Sequence, residues 1–344
     1  TLDRSSAASD VYKRQVLNST FPEHELQREL EVIRQEAIEY DEDPEDSASD
    51  ILDRAIWGDD PMGMPVIGTV ANIEGFTRQD LVHHVQSHYV AEKTVVVAAG
   101  NFDVDPWMAL AKELFAGMRA STDVPVLQQA TPAKYVGQSL ARRFTQVSQV
   151  FVNVAYPLVP AAQEQGARRR SRLAASLAAY LFGEGMSSPL VDTVREQLGL
   201  AYTAYAAMES GDVWANFIVH AVTTPDKLEA LLTATRRLLQ AQAAGIDPVH
   251  LERAKNQLTV SRVRSGERTY ATMEQAVEEL FANGTVTPIA ETLAMIDDIG
   301  AEEVRMVFER MLAHPPALAI TGKGVSAKAA RQLAGCLQAL SLIH

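Results

Sequence analysis

The chain has 344 residues, 47% of them apolar, a single cysteine and a formal net charge of −13, with 31 basic against 44 acidic side chains. That length and apolar content suffice for two domains with real cores, whereas Cys336 by itself excludes an internal disulfide or a thiolate cluster. The acidity argues against a nucleic-acid binder and suits a basic peptide, although solubility alone would also explain it, and no uninterrupted apolar run approaches a membrane span.

Taken in chain order, the ends come first. Asp10 to Gln15 reads DVYKRQ and Leu340 to His344 reads LSLIH, which translate the two strands of one transposon end repeat used in sequencing libraries. Residues 1–15 and 340–344 are therefore set aside as non-native, and the native chain is expected to be cut at its N-terminus and at its C-terminus. Next, Leu26, Leu30, Ile33, Ala37 and Tyr40 recur at helical spacing and predict a buried stripe. Glu29 and Glu36 fall together on one edge of that stripe. Two such carboxylates ask for a cation; the competing reading is a solvated helix boundary. His24, with Glu25 and Glu29, reads as helix-start chemistry after Pro22. The run DEDPEDSASD, Asp41 to Asp50, has the oxygen density of a calcium loop but neither its glycine nor its spacing, and reads as a solvated turn.

The segment Ile73 to Asp103 reads as a Thr-capped helix followed by a β-branched strand ending in glycine, and Ile296 to Gly324 reads the same way. Pairing Leu81 with Val304 sets the copies 223 residues apart, and pairing Gly100 with Gly322 sets them 222 apart. The weak repeat predicts two homologous domains. His84 and His88 stand at i and i+4 within the first copy, but Val85 occupies the place of the glutamate that a zinc helix needs. Ser121 to Ser139 is polar, holds two prolines and reads as a linker. Beyond it come a strand within Gln146–Val159, a helix over Ala167–Gly185, and a strand pair within Ala201–Thr223 turning at Ser210-Gly211-Asp212. Helices follow over 225–243, 248–265 and 270–281. Strands and helices alternate without a tight βαβ period, which favours an α+β fold. The domains expected are 16–120, the linker 121–139, and 140–339.

On these residues a family resemblance emerges across 16–339. Glu29-Leu-Glu-Val-Ile-Arg-Gln-Glu36 resembles the ERxxVxxE helix of the insulinase/pitrilysin zinc metallopeptidases. PMGMPVIGTVANIEGFTRQDL (61–81) and GMSSPLVDTVREQLGLAYTAYA (185–206) are similar to two further stretches of its shorter branch, which includes the mitochondrial processing peptidase subunits. The resemblance implies two homologous insulinase-type domains, the first lacking its N-terminal part. It implies Glu36 as the third ligand of a catalytic Zn2+ and Glu29 as a supporting acid that orients a ligand histidine. The family's H-x-x-E-H, with the general base, would fall before residue 1, so roughly eighty to ninety residues are expected to be missing. Arg195 and Tyr202 match an Arg/Tyr pair that holds substrate backbone or transition-state charge; read without the resemblance, they are an exposed helix-end arginine and a packed strand tyrosine. The activity implied is hydrolysis of peptide bonds in peptides, unfolded polypeptide or presequence segments, with this fragment inert alone. The alternative is a non-catalytic homologous subunit that binds peptides or scaffolds an active partner. A homodimer or heterodimer with a homologous chain is implied as well. Arginines outnumber lysines 23 to 8, which points to a GC-rich bacterial source and a cytoplasmic or periplasmic setting.

Overall fold

The computed structural model describes residues 13–120, 134–158, 165–211 and 213–337. Most of the two foreign-looking ends, the body of the expected linker, and Asp212 of the predicted turn lie outside the described residues. The chain divides into two compact units, one formed by 1–39, 67–129 and 267–281 and the other by 40–66, 130–266 and 282–344.

The first unit is helical: α1 (Glu23–Glu42) for most of its length, α3 (Val70–Gly75), α4 (Arg78–His88), α5 (Val104–Phe115) and most of α9 (Thr269–Asn283). The predicted threonine cap is present. The Thr77 hydroxyl accepts from the Asp80 amide, and the Asp80 carboxylate accepts in return from the Thr77 amide, a reciprocal capping box. Arg78 then donates to the carbonyls of Phe21 and Thr20 at 2.9 and 3.0 Å and so anchors the approach to α1. The strand predicted over Thr94–Ala99 does not form. A strand needs a neighbour to take its backbone hydrogen bonds, and the described residues of this unit hold none. The stripe of α1 is narrower than expected: Leu26 and Ala37 are buried, but Tyr40 is 49% exposed.

The second unit carries a mixed five-stranded sheet in the order β1-β5-β2-β4-β3: β1 (Ser139–Arg143), β2 (Val150–Pro157), β3 (Thr203–Ser210), β4 (Ala215–Thr223) and β5 (Ala317–Gly322). Only β1 and β5 run parallel; the other pairs are antiparallel. Successive side chains point to opposite faces, and each face carries an apolar patch that a helix covers. One face sends Val152, Val154, Phe217, Val219, Leu318 and Ile320 against α6 (Gln165–Gly183), α7 (Leu228–Ala244), α8 (Pro248–Gly266) and α11 (Ala301–Leu312). The rings of Phe182, Phe217 and Phe308 meet there at 5.7 to 6.0 Å. The other face sends Ala155, Ile218, Ala317 and Ala319 against Leu52, Ala55, Ile56 and Trp57 of α2 (Pro44–Trp57). The small side chains on this face let α2 lie close. α10 (Ile289–Asp298) and α12 (Ala327–Ala334) complete the unit.

The acidic run expected to be a turn in fact holds the last residues of α1, Asp41 and Glu42, and the cap and start of α2. Asp43 caps the helix by accepting from the amides of Glu45 and Asp46, with Pro44 in the first turn. The physical reason was present in the residues: an aspartate before a proline and two acids is a helix N-terminus. No described helix is long and apolar enough to cross a membrane.

Candidate functional site

Glu29 and Glu36 belong to the first unit and Arg195 and Tyr202 to the second, so each pair is described by itself. Both glutamates are exposed on α1, and neither makes a hydrogen bond or ion pair with another described residue. A structural or catalytic zinc takes at least three protein ligands. Among the described residues no group of three His, Cys, Asp or Glu side chains could hold a metal ion, so these residues do not by themselves fit the Zn2+ that the resemblance implies. The His84 and His88 rings do share a face of α4, stacked at 4.5 Å, with His88 Nδ1 3.0 Å from the His84 carbonyl oxygen. They remain a pair without a third ligand.

Arg195 and Tyr202 are brought together. The helical turn Pro189–Val191 runs into a π-helical turn, Asp192–Gln197, which carries Arg195. Such turns are often retained where a side chain must be re-aimed. The chain then folds back: the amides of Leu200 and Ala201 both donate to the Val194 carbonyl, and Gly199 takes a left-handed φ of 57°. Tyr202 follows, its amide bound to the Val222 carbonyl at 3.0 Å, and leads directly into β3. The Arg195 guanidinium lies 5.8 Å from the centre of the Tyr202 ring, within cation–π range, and Arg195 Nε is 3.4 Å from the Glu196 carboxylate. Tyr202 is 76% exposed. A guanidinium and a phenol thus stand together at the head of an outer strand, on residues that are both exposed.

Two further groups flank β3 that the sequence reading missed. On the α2 side, Tyr205 and Glu209 of β3 share a face, as their period of two requires. Behind Tyr205, the His220 ring stacks at 4.8 Å, and His220 Nδ1 is 2.6 Å from the Asn153 amide oxygen. Burial holds the imidazole below its usual range. Burial also raises Glu209 and, foremost, Asp53, whose carboxyl is pushed up to about 6 by burial and then by the charges of Glu209 and Asp50. Asp50 is raised by burial and by Asp46 and Asp41. The carboxylates of α2 therefore face a glutamate of β3 in partly dry surroundings. On the other side, a cavity of about 390 Å³ opens between α6, α8 and β3.

Asp53 supplies a pH prediction. Its folded pKa lies above the unfolded one, so the native state binds the proton more tightly, and stability falls as pH rises from about 4 through 6. Taken whole, that shift would correspond to about 3 kcal/mol; solvent screening at a partly exposed site reduces it to about 1 kcal/mol. Asp53→Asn is therefore expected to raise the urea midpoint at pH 8 and to leave it unchanged near pH 3.5. Equal midpoint shifts at both pH values would show that the carboxylate is not destabilising.

Comparison with known proteins follows this geometry. Residues 75–258 match the sequence profile of the peptidase M16 inactive domain. The chain is similar to an uncharacterized zinc protease of Mycobacterium leprae, 29% identical over 332 residues, covering 93% of this chain and 71% of that protein. It is also similar to one from Bacillus subtilis, 24% identical over 319 residues, covering 92% and 75%. Among solved structures it resembles a peptidase M16 inactive domain from Pseudomonas fluorescens, with TM-score 0.79, 18% identity and coverage of 95% and 77%. A protease from Helicobacter pylori gives TM-score 0.81 at 16% identity, covering 93% and 77%. A chain of complex III2 from Candida albicans, Inz-5 bound, gives 0.80 at 16%, covering 98% and 79%. At these identities the structures show a shared α+β fold and nothing of activity.

Proposed function

Because the chain belongs to the peptidase M16 family, through that family's inactive domain, we propose that it is a non-catalytic unit that holds an extended peptide for a zinc-bearing homologous domain or partner chain. The observation that carries this reading is the Arg195–Tyr202 pair, poised in a tightly bonded turn at the head of β3. Among the described residues β3 pairs with β4 alone and is an outer strand of the sheet. An added peptide strand would take main-chain hydrogen bonds from such an edge, while the guanidinium and phenol would bind carbonyl oxygens at one end of it. The net charge of −13 favours basic segments.

Fluorescence anisotropy with a labelled, unfolded basic peptide tests this. Binding is expected, weakened about tenfold in Arg195→Ala, which removes a charge-assisted donor, and less in Tyr202→Phe. A folded chain that binds no such peptide overturns the reading.

A second reading is favoured by the names of the curated relatives, which are called zinc proteases. In it the whole protein is a zinc metalloendopeptidase of two homologous domains, the residues 16–120 and 140–339 being the end of the first and the whole of the second. Glu36 would then be a zinc ligand and Glu29 its support, with the histidines and the general base supplied from outside this chain. Metal analysis separates the two readings. The non-catalytic reading predicts well under one zinc per chain of the purified full-length protein, unchanged in Glu36→Gln. Stoichiometric zinc that disappears in Glu36→Gln would favour the peptidase.

A further inference from the structure

The cavity beside β3 has a feature that edge pairing alone does not use. It is lined by four consecutive residues of β3, Tyr205 to Met208. Side chains of a strand alternate between faces, so a cavity touched by all four runs along the main chain of the strand. Its far wall is one stripe of α8, where Leu258, Ser261, Arg262 and Ser265 recur at helical spacing. The Tyr180 hydroxyl donates to Ser261 Oγ at 3.0 Å and fixes that wall to α6. Into this wall is set Arg262, whose Nε is buried and has no acceptor among the described residues.

A buried donor without an acceptor is costly, the more so on a charged group. Glu184 lines the same cavity but is exposed and forms no ion pair with Arg262 among the described residues. The rest of the lining offers hydroxyls and apolar surface. The chain is strongly acidic, so a lone cation in a cavity beside a peptide-accepting edge selects for one kind of group. We propose that this cavity is a carboxylate subsite: a peptide laid along β3 places a carboxylate on Arg262, with apolar atoms against Leu258 and Met208. At about 390 Å³ the cavity is large enough for one or two residues. The inference rests on the strand-edge reading above. The carboxylate could be the peptide's C-terminal group or an Asp or Glu side chain, which are chemically the same to a guanidinium.

The test uses the full chain and one basic peptide in three forms: free acid, C-terminal amide, and free acid with its single internal Glu changed to Gln. Wild type, Arg262→Gln and Arg262→Lys are each titrated by anisotropy, with thermal melting to show that each is folded. Wild type is expected to prefer one carboxylate-bearing form about tenfold. Arg262→Gln should abolish that preference, and Arg262→Lys should keep part of it. Loss of preference with the amide assigns the C-terminal group; loss with the Gln form assigns the side chain. If wild type binds all three forms alike, the carboxylate subsite is wrong while strand-edge binding stands. If it binds none, both are wrong. If the preference survives in folded Arg262→Gln, the carboxylate binds elsewhere and the assignment to this cavity is overturned.

Discussion

Gly183→Ala will cost the second unit about 3 kcal/mol or more, and the protein will accumulate poorly as a folded species. Gly183 ends α6 where the helix crosses β3. A methyl group there would fall on the Ala206 amide nitrogen, 2.6 Å from the Ala206 Cβ and 2.9 Å from its Cα. These are atoms of a strand held in a sheet, not the tip of a flexible side chain, so no rotamer change relieves the overlap. Either α6 lifts or β3 shifts, and overpacking of this kind costs about 1 to 3 kcal/mol when some relaxation is available. Here the obstacle is backbone, which places the effect at or above that limit. The same movement would disturb the wall of the cavity, since Ala206 lines it. Urea unfolding followed by far-UV circular dichroism is the measurement. Gly75→Ala is the control: nothing lies within 4 Å of the methyl it would add, and its stability should change by less than about 1 kcal/mol. Equal, small effects at both positions would mean that α6 does not pack on β3 as described.

Phe308→Ala is the second large effect. Phe308 of α11 is fully buried, with its ring 5.7 Å from that of Phe217 on β4 and 6.0 Å from that of Phe182 on α6. Removing it takes away the transfer free energy of the ring and leaves a cavity that three fixed elements cannot close. About 3 to 5 kcal/mol is expected, a large share of the 5 to 15 kcal/mol typical of a whole domain. Phe308→Leu, which refills most of the volume, should cost about half of that or less. Because the site on β3 and this cluster both use α6, peptide affinity in Phe308→Ala should fall only as far as the folded fraction falls. A selective loss of affinity with stability intact would show that the ring shapes the peptide site directly.

The helices around the sheet were legible because their signals are local. Thr77 with Asp80 three residues on is a capping box in the sequence and in the structure. The predicted helix over 248–265 is α8, and the predicted strand pair became β3 and β4. Arg195 and Tyr202 could be paired in advance only through the family resemblance. Seven residues along a helix and into a strand have no fixed separation, and the fold-back over Leu198–Ala201 is what brings them together. The Thr94–Ala99 segment has the β-branched composition of a strand but no described neighbour in its unit, and composition carries no information about a neighbour.

What the sequence determined by itself was therefore the long helices after residue 165 and the β3–β4 pair, the α+β class and the two glutamates on one edge of α1, all of which depend on periodicities of two and 3.6 residues. Only the tertiary structure decided the chemistry around β3. Asp53 and Glu209 are 156 positions apart in the chain, yet α2 lies over the sheet and sets them into one another's field. Arg262 faces the cavity beside Met208 because α8 packs against α6, and α6 against β3. Burial and charge proximity depend on which surfaces meet across long stretches of chain, and no local pattern encodes that.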